Sequence, residues 1–232
     1  MAKLKVMCAR SMHVAVSALG EAFARAGGHE VAFDFGTVGI LQGKLDAGET
    51  ADVVILSVPG IERLAKAGLL VPGSRRNVAK TYIAVCIREG EPRPDFSTAA
   101  AFTRLLESAR AIATSDPAVG GSAGVQLAKS FAEAGLAPML APKSMPQQTG
   151  VEVARRVVEG KADFGLTLSG EVASVAGAVI AGPVPPPFGQ DTTYCAAVMA
   201  SSGARDEALA LIAALAKPDT RTTWTKAGFE QP

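Results

Sequence analysis

The sequence predicts a two-lobed α/β protein in which each lobe is a mostly parallel sheet flanked by helices, with a ligand cleft between the lobes. Three observations predict this fold. Short apolar runs typical of buried strands alternate with amphipathic helical segments along the chain. A polar, proline-containing stretch at residues 89–97 divides two such series. A long apolar run at residues 193–200 follows the second series and can return the chain to the first lobe.

The first lobe is predicted from three consecutive strand–helix units. Residues 4–9 form an apolar strand, and Ser11 then stands where the N-cap of a helix over residues 14–23 is expected. The pair Gly27 and Gly28 ends that helix. The other elements of this lobe are strands at residues 30–35, 51–57 and 81–88 and helices at residues 36–47 and 61–67.

The second lobe is predicted from a similar series of elements. Residues 183–187 are rich in proline and predict a stiff crossing segment back to the first lobe, where a helix at residues 206–216 closes the chain. We place lobe 1 at residues 1–83 and 194–232 and lobe 2 at residues 84–193. The elements of lobe 2 are helices at residues 99–107, 122–135 and 150–159 and strands at residues 111–114, 138–140, 164–167 and 177–181.

The composition excludes several classes of function. Of the 232 residues, 23 are Lys or Arg and 22 are Asp or Glu, so no net positive field attracts nucleic acid. Only two Tyr and one Trp are present, too few for base-stacking platforms. No apolar run approaches the roughly 18 residues that a membrane-spanning helix needs. We therefore expect no nucleic-acid partner and no membrane insertion.

No motif indicates a cofactor or a metal centre. Neither G-x-x-x-x-G-K-[ST] nor G-x-G-x-x-G stands at a strand-to-helix turn, and the glycine-rich run at residues 120–124 is a weak signal alone. His13 and His29 are the only histidines, so neither a metal site nor a Ser-His-Asp triad is expected. The three cysteines are odd in number and far apart, and we expect buried free thiols at Cys8, Cys86 and Cys195.

The N-terminus bears on the compartment. It enters a short apolar run at once and lacks the roughly 7–15-residue apolar stretch of an export signal. As written, the chain is expected in the cytoplasm, and it is expected in the periplasm if a signal peptide has been removed.

Hydroxyl or glycine residues begin four of the loops that follow predicted strands. Because ligands of open parallel sheets bind beyond the carboxyl ends of the strands, these loops are the candidate site. The N–H groups at a helix start, with a Ser or Thr side chain, can bind an anion without Lys or Arg. Each hydroxyl taken singly is better explained as a helix cap, and the prediction of a site rests on their recurrence after successive strands. The residues concerned are Ser11, Thr37, Ser57 and the segment 115–122 with Gly121 and Ser122.

Several segments resemble a known family. The stretch from Leu45 to Asp52, with the loops around residues 7–11, 35–41, 51–57, 116–129 and 157–168, is similar in order and spacing to the molybdate-binding proteins of ABC transporters. The resemblance covers nearly the whole chain, through motifs that are short and glycine-rich. It implies the type 2 periplasmic-binding-protein fold, a small anionic ligand and, for an exported protein, a transporter permease as partner.

The resemblance also implies where the ligand contacts fall. Ser11 matches the first hydroxyl of that family, the second falls on Val38 beside Thr37, the third-strand position on Ser57, and the tyrosine position on Leu168. Two polar contacts are therefore missing or moved, and each donor missing from a buried oxyanion costs about 1–3 kcal/mol. We expect an anion other than molybdate, and a small carboxylate above an inorganic oxyanion.

The candidate site also contains additional polar residues. Arg10 and His13 flank Ser11, and the loop at residues 143–149 places Gln148 and Thr149 before a helix. Arginine binds carboxylates through two hydrogen bonds, and histidine can transfer protons near neutral pH. The alternatives are a solvated Arg10 and a surface or capping His13.

Two functions follow from this candidate site. The first is a solute-binding protein that uses the hydroxyls as ligand donors. The second is a cytoplasmic isomerase of a small polycarboxylate on the same scaffold, similar to some aconitate isomerases, with His13 as the acid–base group.

Overall fold

The computed structural model describes residues 2–231, and their contacts divide them into two compact units. Unit 1 contains the residues up to Lys80 and those from Thr192 onward, and unit 2 spans Thr81–Asp191. Each unit contains one five-stranded sheet. Within residues 2–231, no helix is long and apolar enough to cross a membrane.

Unit 1 is built on a sheet with the strand order β2-β1-β3-β10-β4. Strand β1 pairs in parallel with β2 and β3, and β10 is antiparallel to β3. The elements of this unit are β1 Lys3–Ala9, α1 His13–Gly27, β2 Glu30–Gly36, α2 Val38–Asp46, β3 Val53–Ser57, α3 Val58–Lys66, β4 Arg76–Thr81, β10 Thr192–Val198, α9 Arg205–Leu215 and α10 Arg221–Lys226.

The core of unit 1 follows from its central strands. All five residues of β3 are buried, as expected for a strand of a parallel sheet that is covered on both faces. Leu41 of α2 and Ile61 of α3 belong to the same buried cluster as Val54 and Leu56. Burial of aliphatic side chains therefore holds both helices against the sheet.

Unit 2 repeats this architecture with the strand order β7-β6-β8-β5-β9. Strand β6 is parallel to β7 and β8, whereas β5 is antiparallel to both β8 and β9. The elements of this unit are β5 Ile83–Arg88, α4 Ala99–Ser108, β6 Ile112–Ser115, α5 Ser122–Glu133, α6 Ala137–Leu140, β7 Ser144–Gln147, α7 Gly150–Val158, β8 Phe164–Leu168, α8 Ser169–Val172 and β9 Ala178–Pro183.

The structure corrects the sequence prediction at several places. The segment predicted as a strand at residues 138–140 lies in the short helix α6, and Pro138 is in the first turn of that helix. The strand β7 lies instead at Ser144–Gln147, within the predicted loop at residues 143–149. The predicted strand at residues 81–88 is preceded by a missed strand, β4. The helix α10 follows the one expected to close the chain. Ser11 lies in a 3-10 turn, and the N-cap of α1 is Met12 rather than Ser11.

Asp163 fixes the chain just before β8 to the chain just before β6. Its carboxylate accepts hydrogen bonds from the backbone N–H groups of Arg110 (2.6 Å) and Ala111 (3.2 Å) and from the Arg110 guanidinium (2.9 Å). Burial opposes ionisation, but these hydrogen bonds outweigh it and lower the pKa of Asp163 from 3.8. Because the folded state has the lower pKa, this carboxylate stabilises the fold above its ordinary pKa, and the stabilisation is lost as the pH falls through the folded value.

We expect Asp163→Asn to lower the free energy of unfolding at pH 7 by about 1 kcal/mol, because one hydrogen-bonded anion is lost. The difference from the wild type should shrink as the pH falls below 3.8. Urea unfolding at pH 7 and at about pH 3 measures both values. Glu133→Gln is the control, since Glu133 forms only an exposed pair with Lys129 at 3.9 Å. A difference that does not change with pH would contradict the assignment.

Candidate functional site

The candidate site in unit 1 lies at the carboxyl edge of its sheet. In the parallel register, Ala9 of β1 is opposite Gly36 of β2, and Cys8 is opposite Ile55 of β3. The loops that leave these three strands therefore open on one edge, as the sequence predicts for a ligand site.

Ser11 lies in the first of these loops. Its hydroxyl donates a hydrogen bond to the phenolic oxygen of Tyr194 at 3.0 Å. Ser11 is 5% exposed and Tyr194 is 1% exposed, so the bond is shielded from water. Tyr194 enters from the antiparallel strand β10, whose first residues lie at the edge where the parallel strands end.

Ser57 adds a third hydroxyl to the pair formed by Ser11 and Tyr194. It is the last residue of β3, pairs in register with Tyr194, and is buried with 8% of its surface exposed. It occupies the N-cap position of α3, but its side chain makes no capping hydrogen bond. The capping explanation therefore fails for Ser11 and Ser57, and their hydroxyls lie at the strand ends next to Tyr194.

Thr37 and Val38 have structural roles in this unit. The Thr37 side chain accepts a hydrogen bond from the Ile40 N–H at 3.2 Å, so Thr37 caps α2. Val38 is half-buried at the first position of α2 and packs against the core of the unit. The structure thus supports the capping explanation for Thr37.

Arg10 and His13 are exposed on either side of Ser11, and both contact the end of β2. The Arg10 guanidinium donates to the Phe35 carbonyl oxygen at 3.1 Å. The His13 ring meets the Phe35 ring edge-on, with their centroids 5.9 Å apart. The two residues therefore provide a guanidinium and an imidazole at the rim of the edge that contains Ser11.

The corresponding edge of unit 2 contains the other predicted residues. Gly121 occupies the N-cap position of α5, and Ser122 is its first residue. Gln148 is exposed, and Thr149 caps α7 reciprocally with Glu152. Leu168 ends β8 with its side chain buried and 4% exposed.

Three polar residues at these edges, Thr167, Glu171 and Tyr194, were not predicted from the sequence. In unit 2 the Ser115 and Thr167 hydroxyls are 3.1 Å apart, and Thr167 donates to Glu171 at 2.8 Å. In unit 1 the missed residue is Tyr194. The one available signal was that Tyr194 lies near the start of an apolar strand, which places its hydroxyl near an edge. Thr167 gave no such signal, since it lies within a buried strand.

The three thiols are buried within strands and do not contribute to either edge. Burial raises the pKa of Cys86 to about 12 and raises that of Cys8 further. These thiols stay protonated at neutral pH and are poor nucleophiles. Across the described part of the chain, no cluster of three or more His, Cys, Asp or Glu residues is arranged to hold a metal ion.

Sequence comparisons identify relatives of the chain. A family model of bacterial extracellular solute-binding proteins matches residues 4–230. A curated relative, an aconitate isomerase from a Pseudomonas species, is 30% identical over 194 residues, which are 81% of this chain and 70% of that protein.

Solved structures are similar over almost the full length. The periplasmic molybdate-binding protein of Azotobacter vinelandii has a TM-score of 0.78 at 23% identity, with 99% of each chain covered. The sulfate-binding protein SubI of Mycobacterium tuberculosis has a TM-score of 0.78 at 18% identity, with 99% of this chain and 86% of that chain covered. These similarities confirm the predicted two-lobed periplasmic-binding-protein fold.

Proposed function

Because the chain belongs to the family of bacterial extracellular solute-binding proteins, we propose that it binds a small organic anion, a carboxylate in particular. The observation that carries the proposal is the set of three buried hydroxyls, those of Ser11, Ser57 and Tyr194, at the carboxyl edge of unit 1. Hydroxyl donors can bind a negative oxygen, and hydrogen bonds to an ionised acceptor are about twice as strong as neutral ones. Gly121, Ser122, Gln148 and Thr149 are the contacts that we propose from unit 2.

Exposed apolar side chains in helices that start at the same edge of the sheet favour a carbon-containing ligand. Val14, in the first turn of α1, is 44% exposed, and Ile40, in the first turn of α2, is 50% exposed. Both follow strands that end at the same edge as Ser57. A carbon skeleton can bury such side chains, whereas an inorganic oxyanion has no apolar atoms to cover them.

A ligand screen tests this proposal. The purified protein is heated with citrate, cis- and trans-aconitate, malate and succinate, and separately with molybdate, tungstate, sulfate and phosphate. We expect the melting temperature to rise with at least one carboxylate, because a ligand that binds only the folded state stabilises it. A rise with molybdate or sulfate and none with any carboxylate would contradict the proposal.

An isomerase is the second candidate function. The aconitate isomerase relative favours it, and His13 provides an imidazole at the rim of the same edge. The chemistry needs no co-reactant: a base takes a proton from one carbon, the double bond shifts, and a proton is returned to another carbon. A histidine can serve as both base and acid in such a transfer. Proton NMR of each stabilising carboxylate distinguishes the two functions, because only an enzyme alters the ligand.

If the protein is an isomerase, we expect His13→Ala to abolish turnover and to leave ligand affinity within about twofold, because a proton-transfer group acts in the transition state. Turnover is followed by NMR and affinity by calorimetry. His29→Ala is the matched control, since His29 lies beyond the other end of α1 and stacks on Phe23 with centroids 5.1 Å apart. Wild-type turnover in the His13 variant would end the assignment.

The two functions also imply different partners and compartments. A solute-binding protein of this family would act outside the cytoplasm and pass its ligand to a transporter permease, whereas an isomerase would need no permease. Fractionation of cells that express the gene from its natural start would separate these cases.

A further inference from the structure

The carboxyl edge of unit 2 contains a negative charge of its own. Glu171, in α8, accepts a hydrogen bond from the Gly150 N–H at 3.2 Å through Oε1 and one from the Thr167 hydroxyl at 2.8 Å through Oε2. Thr167 in turn lies 3.1 Å from the Ser115 hydroxyl. A side-chain carboxylate is therefore held where three parallel strands of this sheet end.

Close contact with the backbone fixes this arrangement. A Cβ atom on Gly150 would lie 1.9 Å from Glu171 Oε2 and 2.0 Å from Thr167 Oγ1. Both distances are well below any allowed contact, so only glycine at position 150 lets the carboxylate lie against the first residue of α7. The sequence thus combines a glycine, a threonine and a glutamate to hold one carboxylate in place.

This carboxylate changes what unit 2 can bind. The first N–H groups of a helix are favourable anion sites because they are unpaired donors at the positive end of the helix dipole. Here Gly150, the first residue of the nine-residue helix α7, donates to Glu171 instead. A second anion approaching the same N–H group would come into contact with the carboxylate and be repelled by it.

We propose that Glu171 is a specificity-determining residue that excludes fully ionised tetrahedral oxyanions, such as sulfate and molybdate, from unit 2. This inference rests on the proposed function and narrows its ligand class. Selectivity therefore depends on repulsion of the wrong ligand as well as attraction of the right one.

Glu171→Gln tests this role. The amide oxygen of Gln can accept from Gly150 and its nitrogen can donate to Thr167, so the side chain fits while its charge is removed. We expect the variant to bind sulfate and molybdate at least tenfold more tightly than the wild type in calorimetric titrations. Unchanged oxyanion affinity would overturn the proposal.

Glu152→Gln is the matched control. Glu152 lies in the first turn of the same helix, and its carboxylate accepts from the Thr149 N–H at 3.1 Å. The substitution removes the same charge nearby but leaves Glu171 in place, so we expect little change in oxyanion affinity. An equal gain in both variants would also overturn the proposal, because the effect would then be one of general charge.

Two further measurements keep the outcomes separate. Glu171→Ala replaces the Gln variant if that variant fails to fold, as judged by circular dichroism, and the same tenfold gain is expected. Carboxylate binding by the wild type tests the proposed function independently. A wild type that binds no carboxylate, with an oxyanion gain in the Glu171 variant, would reject the proposed ligand and retain the role of Glu171.

Discussion

Replacement of Ser11 by alanine is expected to weaken carboxylate binding by about 1–3 kcal/mol, which is about five- to 150-fold in Kd. The hydroxyl is 5% exposed, so water does not easily replace the hydrogen bond that it would give to a charged ligand. A serine hydroxyl has one proton, so when Ser11 donates to the ligand it can only accept from the Tyr194 hydroxyl 3.0 Å away, and the alanine variant loses that hydrogen bond as well. Calorimetric titration with the carboxylate that raises the melting temperature most gives the affinity of each protein.

Further variants are needed to interpret the Ser11 result. Ser130→Ala removes a hydroxyl that bonds to the Leu127 and Phe188 carbonyl oxygens within unit 2, so it should not change the affinity. Tyr194→Phe, alone and combined with Ser11→Ala, measures how strongly the two hydroxyls are coupled in binding. Equal affinity of the Ser11 variant and the wild type would remove Ser11 from the site.

Gly124→Ala is expected to destabilise the protein by about 1–3 kcal/mol through overpacking. A Cβ atom at this position would lie 2.7 Å from the Ser115 carbonyl oxygen and 2.9 Å from both the Asp116 carbonyl carbon and the Pro117 nitrogen. All three are backbone atoms at or just beyond the end of β6, so no side chain can rotate away to make room. Urea unfolding, followed by circular dichroism, measures the loss.

Gly121→Ala is the control for this prediction. Gly121 has φ −72°, which any residue adopts, and a Cβ atom there meets nothing within 4 Å. We expect it to change the free energy of unfolding by less than about 0.5 kcal/mol. Similar destabilisation by both substitutions would show that the close approach at Gly124 does not limit stability. The close backbone contact at Gly124 also gives a packing reason for one glycine of the run at residues 120–124.

Most of the fold could be predicted from the sequence because each signal is local. The apolar run in β3 and the glycine after α1 at Gly28, with φ 64°, each act over a few residues. The strand prediction for residues 138–140 was wrong because Pro138 is as compatible with the first turn of a helix as with an edge strand. The strand β7 was missed because its sequence, Ser-Met-Pro-Gln, contains polar residues and a proline, and β7 is an edge strand.

The candidate site could be predicted only in part. Ser11 and Ser57 were identified because they follow predicted strands, which is a local property. Tyr194 was not identified, because its partner Ser11 is 183 residues away along the chain and the antiparallel return of β10 has no local signature. The same limit applies to Glu171, which meets Gly150 only after β7 and β8 have been placed on either side of β6.

Because the three thiols are buried in the sheets, the rate at which each thiol reacts measures how often its sheet opens. Cys8 and Cys195 lie in the sheet of unit 1 and Cys86 in that of unit 2, and all three are fully buried. An alkylating reagent can reach such a thiol only while its strand is transiently released. The rate of alkylation at each cysteine, resolved by peptide mass spectrometry, therefore reports the opening free energy of the two sheets separately in the unmodified protein. Added ligand that slows reaction at Cys8 but not at Cys86 identifies the unit that holds most of its contacts.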